Sequence, residues 1–246
     1  MNRIAIFGAT SAIAEAVARR FAAEGASLFL VARRENRLAS IANDLRARGA
    51  SPVETFAADL ADLRSHGAAI DHAFSTFGGL DMVLVAYGTL PDQEAAAADT
   101  AVAIAAIGVN YVSIAGLLTL IANRMAEAKQ GTIAVIGSVA GDRGRQSNYV
   151  YGGAKAGLAA FAGGLRHRLW PSGVRVVLIK PGLVDTPMTA GRSGKGMLWA
   201  SADRVARDIV RGMKRGSAVV YTPWFWAPVM AVVRLVPDFI FRRTRF

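Results

Sequence analysis

The sequence contains no cysteine, few histidines and few acidic residues in its last third, and each of these scarcities excludes a class of protein. Its 246 residues include only three histidines, dispersed at His66, His72 and His167. The absence of cysteine excludes a disulfide-stabilised scaffold, a thiolate metal site and a cysteine nucleophile. The dispersed histidines disfavour a zinc site, so we expect no bound metal.

The scarcity of acidic residues makes the C-terminal third strongly basic. Residues 1–160 carry 14 Lys and Arg against 14 Asp and Glu, whereas residues 161–246 carry 15 against 4. The whole net charge of +11 therefore lies in the last third of the chain. Such a region attracts phosphates of nucleic acids, lipid head groups or small molecules, and an ordinary solvated surface is the alternative.

Length and hydrophobicity indicate a folded domain of the α/β kind. The chain is 53% apolar, which excludes a disordered protein and supports a core of useful size. The apolar run at residues 4–7 is too short for a signal peptide, and we expect no membrane-spanning segment. These features predict a cytoplasmic protein.

Short apolar strands alternate along the chain with alanine-rich helical patterns. Because the strands are apolar throughout, we expect helices on both faces of a parallel sheet with right-handed crossovers. The fold class is therefore α/β: a single Rossmann-like, doubly wound sheet of about seven strands over residues 1–221, with a lid near 187–200 and an aromatic, basic tail at 222–246. Strands are predicted at 3–7, 27–31, 53–56, 81–85, 132–137, 174–180 and 218–221, and helices at 12–24, 35–48, 63–77, 99–128, 149–170 and 201–214.

A turn suited to dinucleotide phosphates follows the first predicted strand. It contains Gly8, Thr10, Ser11, Ala12 and Ile13 and leads into a helix. Backbone N–H groups and the helix N-terminus can approach a pyrophosphate there, and the hydroxyls add donors. Alanine replaces glycine at two of the usual small positions, which is tolerated only where φ is negative. An ordinary strand–helix turn is the alternative interpretation.

Two arginines, Arg33 and Arg34, end the second predicted strand. In dinucleotide folds an acidic residue at this point contacts the adenosine ribose of NAD, whereas arginine accommodates the 2′-phosphate of NADP. The guanidinium fork also matches phosphate geometry. We therefore favour NADP(H) as the cofactor, with NAD(H) and a pair of surface arginines as the alternatives.

Ser138, Tyr151 and Lys155 form a candidate catalytic set. Ser138 ends an apolar strand, Tyr151 follows 13 residues later, and Lys155 lies four residues further on. Residues four apart share a helix face, so the ammonium and the phenol point together. A nearby ammonium favours the phenolate, which suits a tyrosine that exchanges a proton with a carbonyl oxygen. Ser138 can hold the same oxygen by a hydrogen bond.

These motifs together resemble the short-chain dehydrogenases/reductases over nearly the whole chain. The resemblance implies that Asn110 supports a water-linked proton relay to Lys155, and that Lys155 also binds the nicotinamide ribose. The chain departs from the family pattern at the alanine-containing turn and at residues 85–88, where the family commonly has Asn-Asn-Ala-Gly. The further cofactor contacts that it implies are Asp59 and Leu60 beside the adenine, Ala86, Tyr87 and Gly88 after the fourth strand, and Pro181, Gly182, Val184 and Thr186 near the nicotinamide, the last two at its carboxamide.

A narrower resemblance, carried by residues 85–92, by Asn110-Tyr111 and by the tail, is to the ketopentose reductases that act on decaprenylphosphoryl sugars. It implies a 2-keto sugar carried on a polyprenyl phosphate, and an oxidising flavoprotein partner that supplies it. The alternative is a soluble carbonyl or alcohol substrate. In the predicted lid, Arg192 and Lys195 either hold a substrate phosphate or are solvated charges.

The tail mixes aromatic residues with arginines, a composition that suits a membrane interface. It therefore predicts either peripheral contact with the inner face of a membrane, or packing over the active site or between subunits of a homo-oligomer. A nucleic-acid-binding protein on an inactive dinucleotide fold would explain the charge. That interpretation gives no role to Ser138, Tyr151 and Lys155, so we expect no nucleic-acid partner.

Overall fold

A parallel sheet forms the centre of the protein in a computed structural model that describes residues 2–190 and 196–244. Within these residues the main sheet has the strand order β3-β2-β1-β4-β5-β6-β9, and every pairing is parallel. The order reverses between β1 and β4, which opens a crevice at the carboxyl ends of these strands. The strands are β1 (Arg3–Phe7), β2 (Ser27–Ala32), β3 (Val53–Ala57), β4 (Met82–Val85), β5 (Thr132–Ile136), β6 (Arg175–Pro181), β7 (Leu183–Asp185), β8 (Trp199–Ser201) and β9 (Val219–Thr222).

Helices cover both faces of the sheet, as the apolar strands require. One apolar core lies between the sheet and α1, α2 and α8, and a second lies between the sheet and α3, α6 and α7. The predicted doubly wound α/β fold is thereby confirmed, with strand bounds that differ from prediction by about one residue. The helices are α1 (Ala12–Ala22), α2 (Glu35–Ala47), α3 (His66–Thr76), α4 (Gln93–Ala98), α5 (Thr100–Ile107), α6 (Ile114–Ala128), α7 (Tyr149–Leu169), α8 (Ala202–Arg215), α9 (Trp226–Leu235) and α10 (Asp238–Phe241).

The helix predicted at 99–128 is interrupted by a π-helical turn at Gly108–Ser113. A π-turn inserts a residue into the helix and changes which side chains face the sheet, and such turns often occur at functional sites. By length and composition the stretch Thr100–Ala128 can cross a membrane. The expectation that no segment is long and apolar enough was therefore wrong. Here α6 packs on the sheet beside α3 and α7.

The C-terminal tail is largely helical, which Pro228 and Pro237 did not suggest. Pro228 lies in the first turn of α9, where a missing N–H breaks no intrahelical hydrogen bond, and Pro237 directly precedes α10. Three other short elements, α4 and the parallel pair β7–β8, were also not predicted. Arg192 and Lys195 lie outside the described residues, so their role as phosphate ligands stays a prediction.

Candidate active site

The carboxyl ends of β1, β4, β5 and β6 open into one cleft of about 790 Å³. Motifs that are up to 178 residues apart in the chain therefore converge on a single site. All the cofactor and catalytic residues expected from the sequence line it, namely Gly8, Thr10, Ser11, Ala12, Ile13, Arg33, Arg34, Asp59, Leu60, Ala86, Tyr87, Gly88, Asn110, Ser138, Tyr151, Lys155, Pro181, Gly182, Val184 and Thr186.

The phosphate turn retains glycine at the one position that demands it. Gly8 has φ +90°, and a Cβ atom there would lie 2.8 Å from both Cβ and N of Tyr87. Ala12, by contrast, is the first residue of α1 and has a negative φ. Ser11 caps this helix, because its Oγ accepts a hydrogen bond from the Ala14 N–H at 3.2 Å. The turn thus has a narrow backbone cradle and a capped helix N-terminus, although two glycines are replaced.

Arg33 and Arg34 lie at the end of β2 and the start of α2, with exposed side chains at the edge of the cleft. Across residues 2–190 and 196–244 neither arginine pairs with a carboxylate. Arg37, in contrast, lies in the first turn of α2 and forms an ion pair with Glu15 at 3.0 Å. Two unpaired guanidinium groups at this edge leave their charge available to an anion.

Tyr87 occupies the place where the family pattern has alanine, and its side chain forms a network that the sequence did not reveal. Its hydroxyl lies 2.7 Å from Ser113 Oγ, and Ser113 Oγ in turn donates to the Leu60 carbonyl. His66 Nε2 lies 2.9 Å from the same carbonyl oxygen. Burial raises the pKa of Tyr87 to about 12, which keeps the phenol protonated and able to donate. The network joins the end of β4 to the loop expected to flank the adenine.

Ser138 and Tyr151 reach the cleft from β5 and α7. Ser138 follows β5 and caps a short 3₁₀ turn, with its Oγ accepting from the Ala140 N–H at 3.1 Å. Tyr151 lies in the first turn of α7, and Lys155 follows one turn later with its Nζ 5.7 Å from the centre of the phenol ring. The helix therefore presents the phenol and the ammonium to the same side of the cleft, as the spacing predicts.

Lys155 is a buried amine, only 3% exposed. Its Nζ donates to the Ile136 carbonyl at 3.0 Å, and burial lowers its pKa from 10.5 to about 8. The cause is the cost of removing an ammonium from water, since no carboxylate near it offsets that cost in the described residues. An ammonium so poorly compensated stabilises any negative charge that develops beside it.

Asn110 lies within the π-turn and is wholly buried. Its Nδ2 donates to the carbonyls of Thr89 and Ala106, both at 2.9 Å, and its Oδ1 accepts from the Thr89 N–H at 3.1 Å. A Cβ at Gly88 would lie 2.7 Å from Asn110 Oδ1 and 3.6 Å from Lys155 Nζ. The glycine therefore lets the chain after β4 pass beside both side chains, and it brings them near each other at the floor of the cleft.

The far side of the cleft contains residues that sequence reasoning missed. Arg145 and Asn148 come from the loop between Ser138 and α7, and Trp226 comes from α9. Their position in the segment between two predicted catalytic residues was the available signal for Arg145 and Asn148. No local pattern marked Trp226, because its place depends on how the tail folds back. Leu183, Met188 and Leu198 add apolar side chains to the lining of the cleft.

Comparison with known proteins gives one consistent result. A family model described as short chain dehydrogenase matches residues 2–195. An uncharacterized oxidoreductase of Mycobacterium tuberculosis is 41% identical over 240 residues, which cover 98% of this chain and 96% of the relative. Sulfoacetaldehyde reductase 2 of Chromohalobacter salexigens is 33% identical over 207 residues, covering 83% of this chain and 81% of that protein.

A solved structure is also similar over the full length. The short-chain dehydrogenase of Sphingobium yanoikuyae, in complex with NADPH, superposes with a TM-score of 0.84 and is 25% identical. The match covers 100% of this chain and 97% of that protein. The similarity therefore includes the tail as well as the sheet.

Proposed function

Because the chain belongs to the short-chain dehydrogenase family of oxidoreductases, we propose that it reduces a ketone with NADPH. The observation that carries this proposal is the convergence of Ser138, Tyr151 and Lys155 in one cleft with a phosphate turn at its other end. The NADPH bound to the Sphingobium yanoikuyae dehydrogenase supports the same cofactor here. NADH remains the alternative cofactor.

The residues of the cleft fit a dinucleotide with a 2′-phosphate. Glycine at residue 8 permits the left-handed backbone of this turn and its close approach to Tyr87, and the N-terminus of α1 favours the charge of a pyrophosphate. Arg33 and Arg34 suit the 2′-phosphate. We assign Asp59 and Leu60 to the adenine, and Val184 and Thr186 to the carboxamide, as the family resemblance implies. When bound, the reduced cofactor supplies a hydride.

The protein's own groups manage the carbonyl oxygen and its proton. Ser138 donates a hydrogen bond to that oxygen, and Tyr151 donates the proton that converts it to a hydroxyl. The Lys155 ammonium stabilises the phenolate left on Tyr151, which must then be reprotonated. Asn110 fixes the backbone beside Lys155. It thereby supports a water-linked relay that can return the proton to Tyr151.

The test is NADPH oxidation with a panel of ketones, in the wild type and in Tyr151→Phe. The phenylalanine variant keeps the ring and loses the proton, so we expect kcat to fall by at least about 100-fold. NADPH affinity should change by less than about twofold. A variant that keeps its full rate would refute the proton-donor role, and a wild type without NADPH-dependent turnover would refute the reductase.

A second candidate substrate is a ketose carried on a polyprenyl phosphate, as the narrower resemblance implies. The observation that favours it is an exposed apolar surface on α9 and α10, formed by Val232, Leu235, Phe239 and Ile240. Arg242 and Arg243 follow directly and are exposed. Apolar side chains with adjacent arginines suit an anionic lipid surface. In this version an oxidising flavoprotein partner supplies the keto sugar.

Liposome co-sedimentation tests this candidate without removing the tail, which would strip Trp226 from the cleft. We expect the wild type to bind vesicles of phosphatidylglycerol, and a Leu235→Glu/Phe239→Glu variant to lose that binding while it reduces small soluble ketones normally. Equal sedimentation of both proteins would refute the lipid contact. A soluble carbonyl substrate, like the sulfoacetaldehyde of the Chromohalobacter salexigens relative, would then be favoured.

We also propose that the protein self-associates through the outer face of α5 and α6. Ile104, Val112 and Leu120 are exposed along this apolar stretch, and Ile104 is 62% exposed. Large apolar side chains grouped on one helix usually meet a partner surface. Light scattering on the purified protein tests this, and Ile104→Glu/Leu120→Glu should shift the mass to that of a monomer.

A further inference from the structure

The C-terminal helix α9 is held in place by one arginine from the loop that follows the candidate catalytic serine. Arg143 Nη1 donates to the carbonyls of Val233 at 2.7 Å and of Val236. Its guanidinium also lies 3.8 Å from the centre of the Phe241 ring. The last carbonyls of a helix have no intrahelical donors, so a cation there supplies both hydrogen bonds and favourable charge. Arg143 therefore caps α9 and contacts α10 at the same time.

The residue before this arginine fixes the same loop to the sheet. Asp142 forms a buried ion pair with Lys180 at the end of β6, and it accepts a hydrogen bond from the Tyr221 hydroxyl at 2.8 Å. The loop that begins at Ser138 is thus joined to β6 and β9 through Asp142 and to the tail through Arg143. The position of α9 relative to Ser138 is accordingly fixed by side-chain contacts rather than by the connecting chain.

This arrangement puts the indole of Trp226 against the cleft. Trp226 is 4% exposed and packs with Val139, the neighbour of Ser138, and with Met230. A Cβ at Gly182 would lie 1.9 Å from the indole Nε1, so only glycine admits the ring at this distance. Within the described residues the indole N–H has no hydrogen-bond acceptor. Leaving a buried donor unpartnered is unfavourable, so its presence at a cleft wall indicates a functional role.

We propose that Trp226 is a specificity-determining residue for the substrate, and that Arg143 is the positioning residue that holds it against the cleft. The inference rests on the ketone reduction proposed above. Ser138 and Tyr151 define where the carbonyl oxygen lies, and the indole forms a rigid wall one residue beyond Ser138. A ketone substituent that extends toward α9 must therefore fit flat against the ring, and bulk in that direction is rejected.

The experiment compares two ketones that differ in size on one side, cyclohexanone and the fused bicyclic decalone, with saturating NADPH. Trp226→Ala opens the wall, so we expect the ratio of kcat/KM for decalone to that for cyclohexanone to rise by about 10-fold or more. Trp226→Phe keeps a smaller aromatic wall and should give an intermediate ratio. Trp170→Ala is the matched control, because Trp170 is 79% exposed and distant from the cleft.

Arg143→Gln should move the same ratio in the same direction although it touches no substrate, and Arg143→Lys should restore part of it. Its matched control is Arg124→Gln, since Arg124 also lies over a phenylalanine ring, that of Phe74, and forms an ion pair with Asp71. A merely structural role would lower both rates equally and leave the ratio unchanged. Thermal melting shows that each variant is folded.

Failure of this inference is distinguishable from failure of the proposed function. If the wild type reduces both ketones and Trp226→Ala leaves their ratio within about twofold, the specificity role is refuted and the reductase stands. If the wild type reduces neither ketone, the affinities of the two ketones for the protein–NADP⁺ complex are measured by calorimetry instead of their rates of reduction. The same shift in their affinity ratio is then expected, and its absence refutes the assignment.

Discussion

The cofactor half of the cleft is formed mostly by residues at strand ends, with glycine where the backbone passes closest to its neighbours, whereas the substrate half includes large side chains from distant segments. On the first side, Gly8 and Gly88 let the chain pass close to its neighbours. On the second side, Trp226 and Leu198 come from the tail and the segment before β8. A cofactor common to a family needs a constant cradle, while a substrate needs a wall that can differ from one protein to the next.

Lys155 stands at the junction of the two halves, and its replacement should have the largest effect. Lys155→Met removes the ammonium, so we expect kcat to fall by more than about 100-fold. It should also stabilise the fold. Burial lowers the pKa of Lys155 to about 8, so the unfolded chain binds this proton more tightly and the charged form costs stability at neutral pH.

The cost persists below pH 8 and disappears as the pH rises from about 8 to 10.5. The full shift corresponds to about 3 kcal/mol, and loss of the hydrogen bond to Ile136 offsets about 1 kcal/mol of it. Denaturant unfolding at pH 7 should therefore show Lys155→Met about 2 kcal/mol more stable than the wild type. A less stable variant would mean that the buried ammonium is compensated.

Within the cofactor half, substitution of Gly8 should cause the largest loss of stability. Gly8→Ala forces a Cβ into a left-handed backbone and to within 2.8 Å of Tyr87 N, where backbone cannot move aside cheaply. We expect a loss of about 2–3 kcal/mol in the free energy of unfolding, together with weaker NADPH binding. Gly67→Ala is the control, because Gly67 is an exposed helical residue with nothing within 4 Å of its Cβ position. That variant should be neutral or slightly stabilised.

The same contrast explains what the sequence could predict. The strands, the parallel doubly wound sheet and the cofactor residues follow from local signals, since each motif directly follows an apolar strand, and the sheet topology brings the strand ends together. The anchoring of the tail depends on Arg143 and Val233, which are 90 residues apart. No pattern within either segment indicates that pairing. The π-turn was missed for a related reason, because one inserted residue hardly changes the apolar composition from which a helix is predicted.

Substitution of Arg33 should have a smaller effect, and it tests whether the cofactor half prefers NADPH to NADH. Arg33→Gln removes a guanidinium that is unpaired within the described residues, so NADPH should bind about 10-fold more weakly. NADH affinity should stay within about twofold, since it has no 2′-phosphate. Arg37→Gln is the matched control, because Arg37 is already paired with Glu15. Equal losses of affinity for NADPH and NADH would show that Arg33 does not contact the 2′-phosphate and acts only through its charge.

Tyr87→Phe should have the smallest effect, and it asks whether cofactor binding depends on the hydrogen bond between Tyr87 and Ser113. The change keeps the ring and the Cβ that lies beside Gly8, and it removes only the hydroxyl that donates to Ser113. Loss of one hydrogen bond costs about 1 kcal/mol of stability. Because Ser113 also holds the Leu60 carbonyl, the adenine loop should loosen and the KM for NADPH rise two- to threefold, with kcat unchanged.

Tyr111→Phe is the control for this change, since that ring packs on Gly157 without a hydrogen bond from its hydroxyl among the residues described. A drop in kcat for Tyr87→Phe would show that the network reaches the carbonyl, and the two halves of the cleft would then act as one. An unchanged KM would show that the Tyr87 hydroxyl does not help to position the cofactor, and that the tyrosine at this place serves only the packing of β4 against β1.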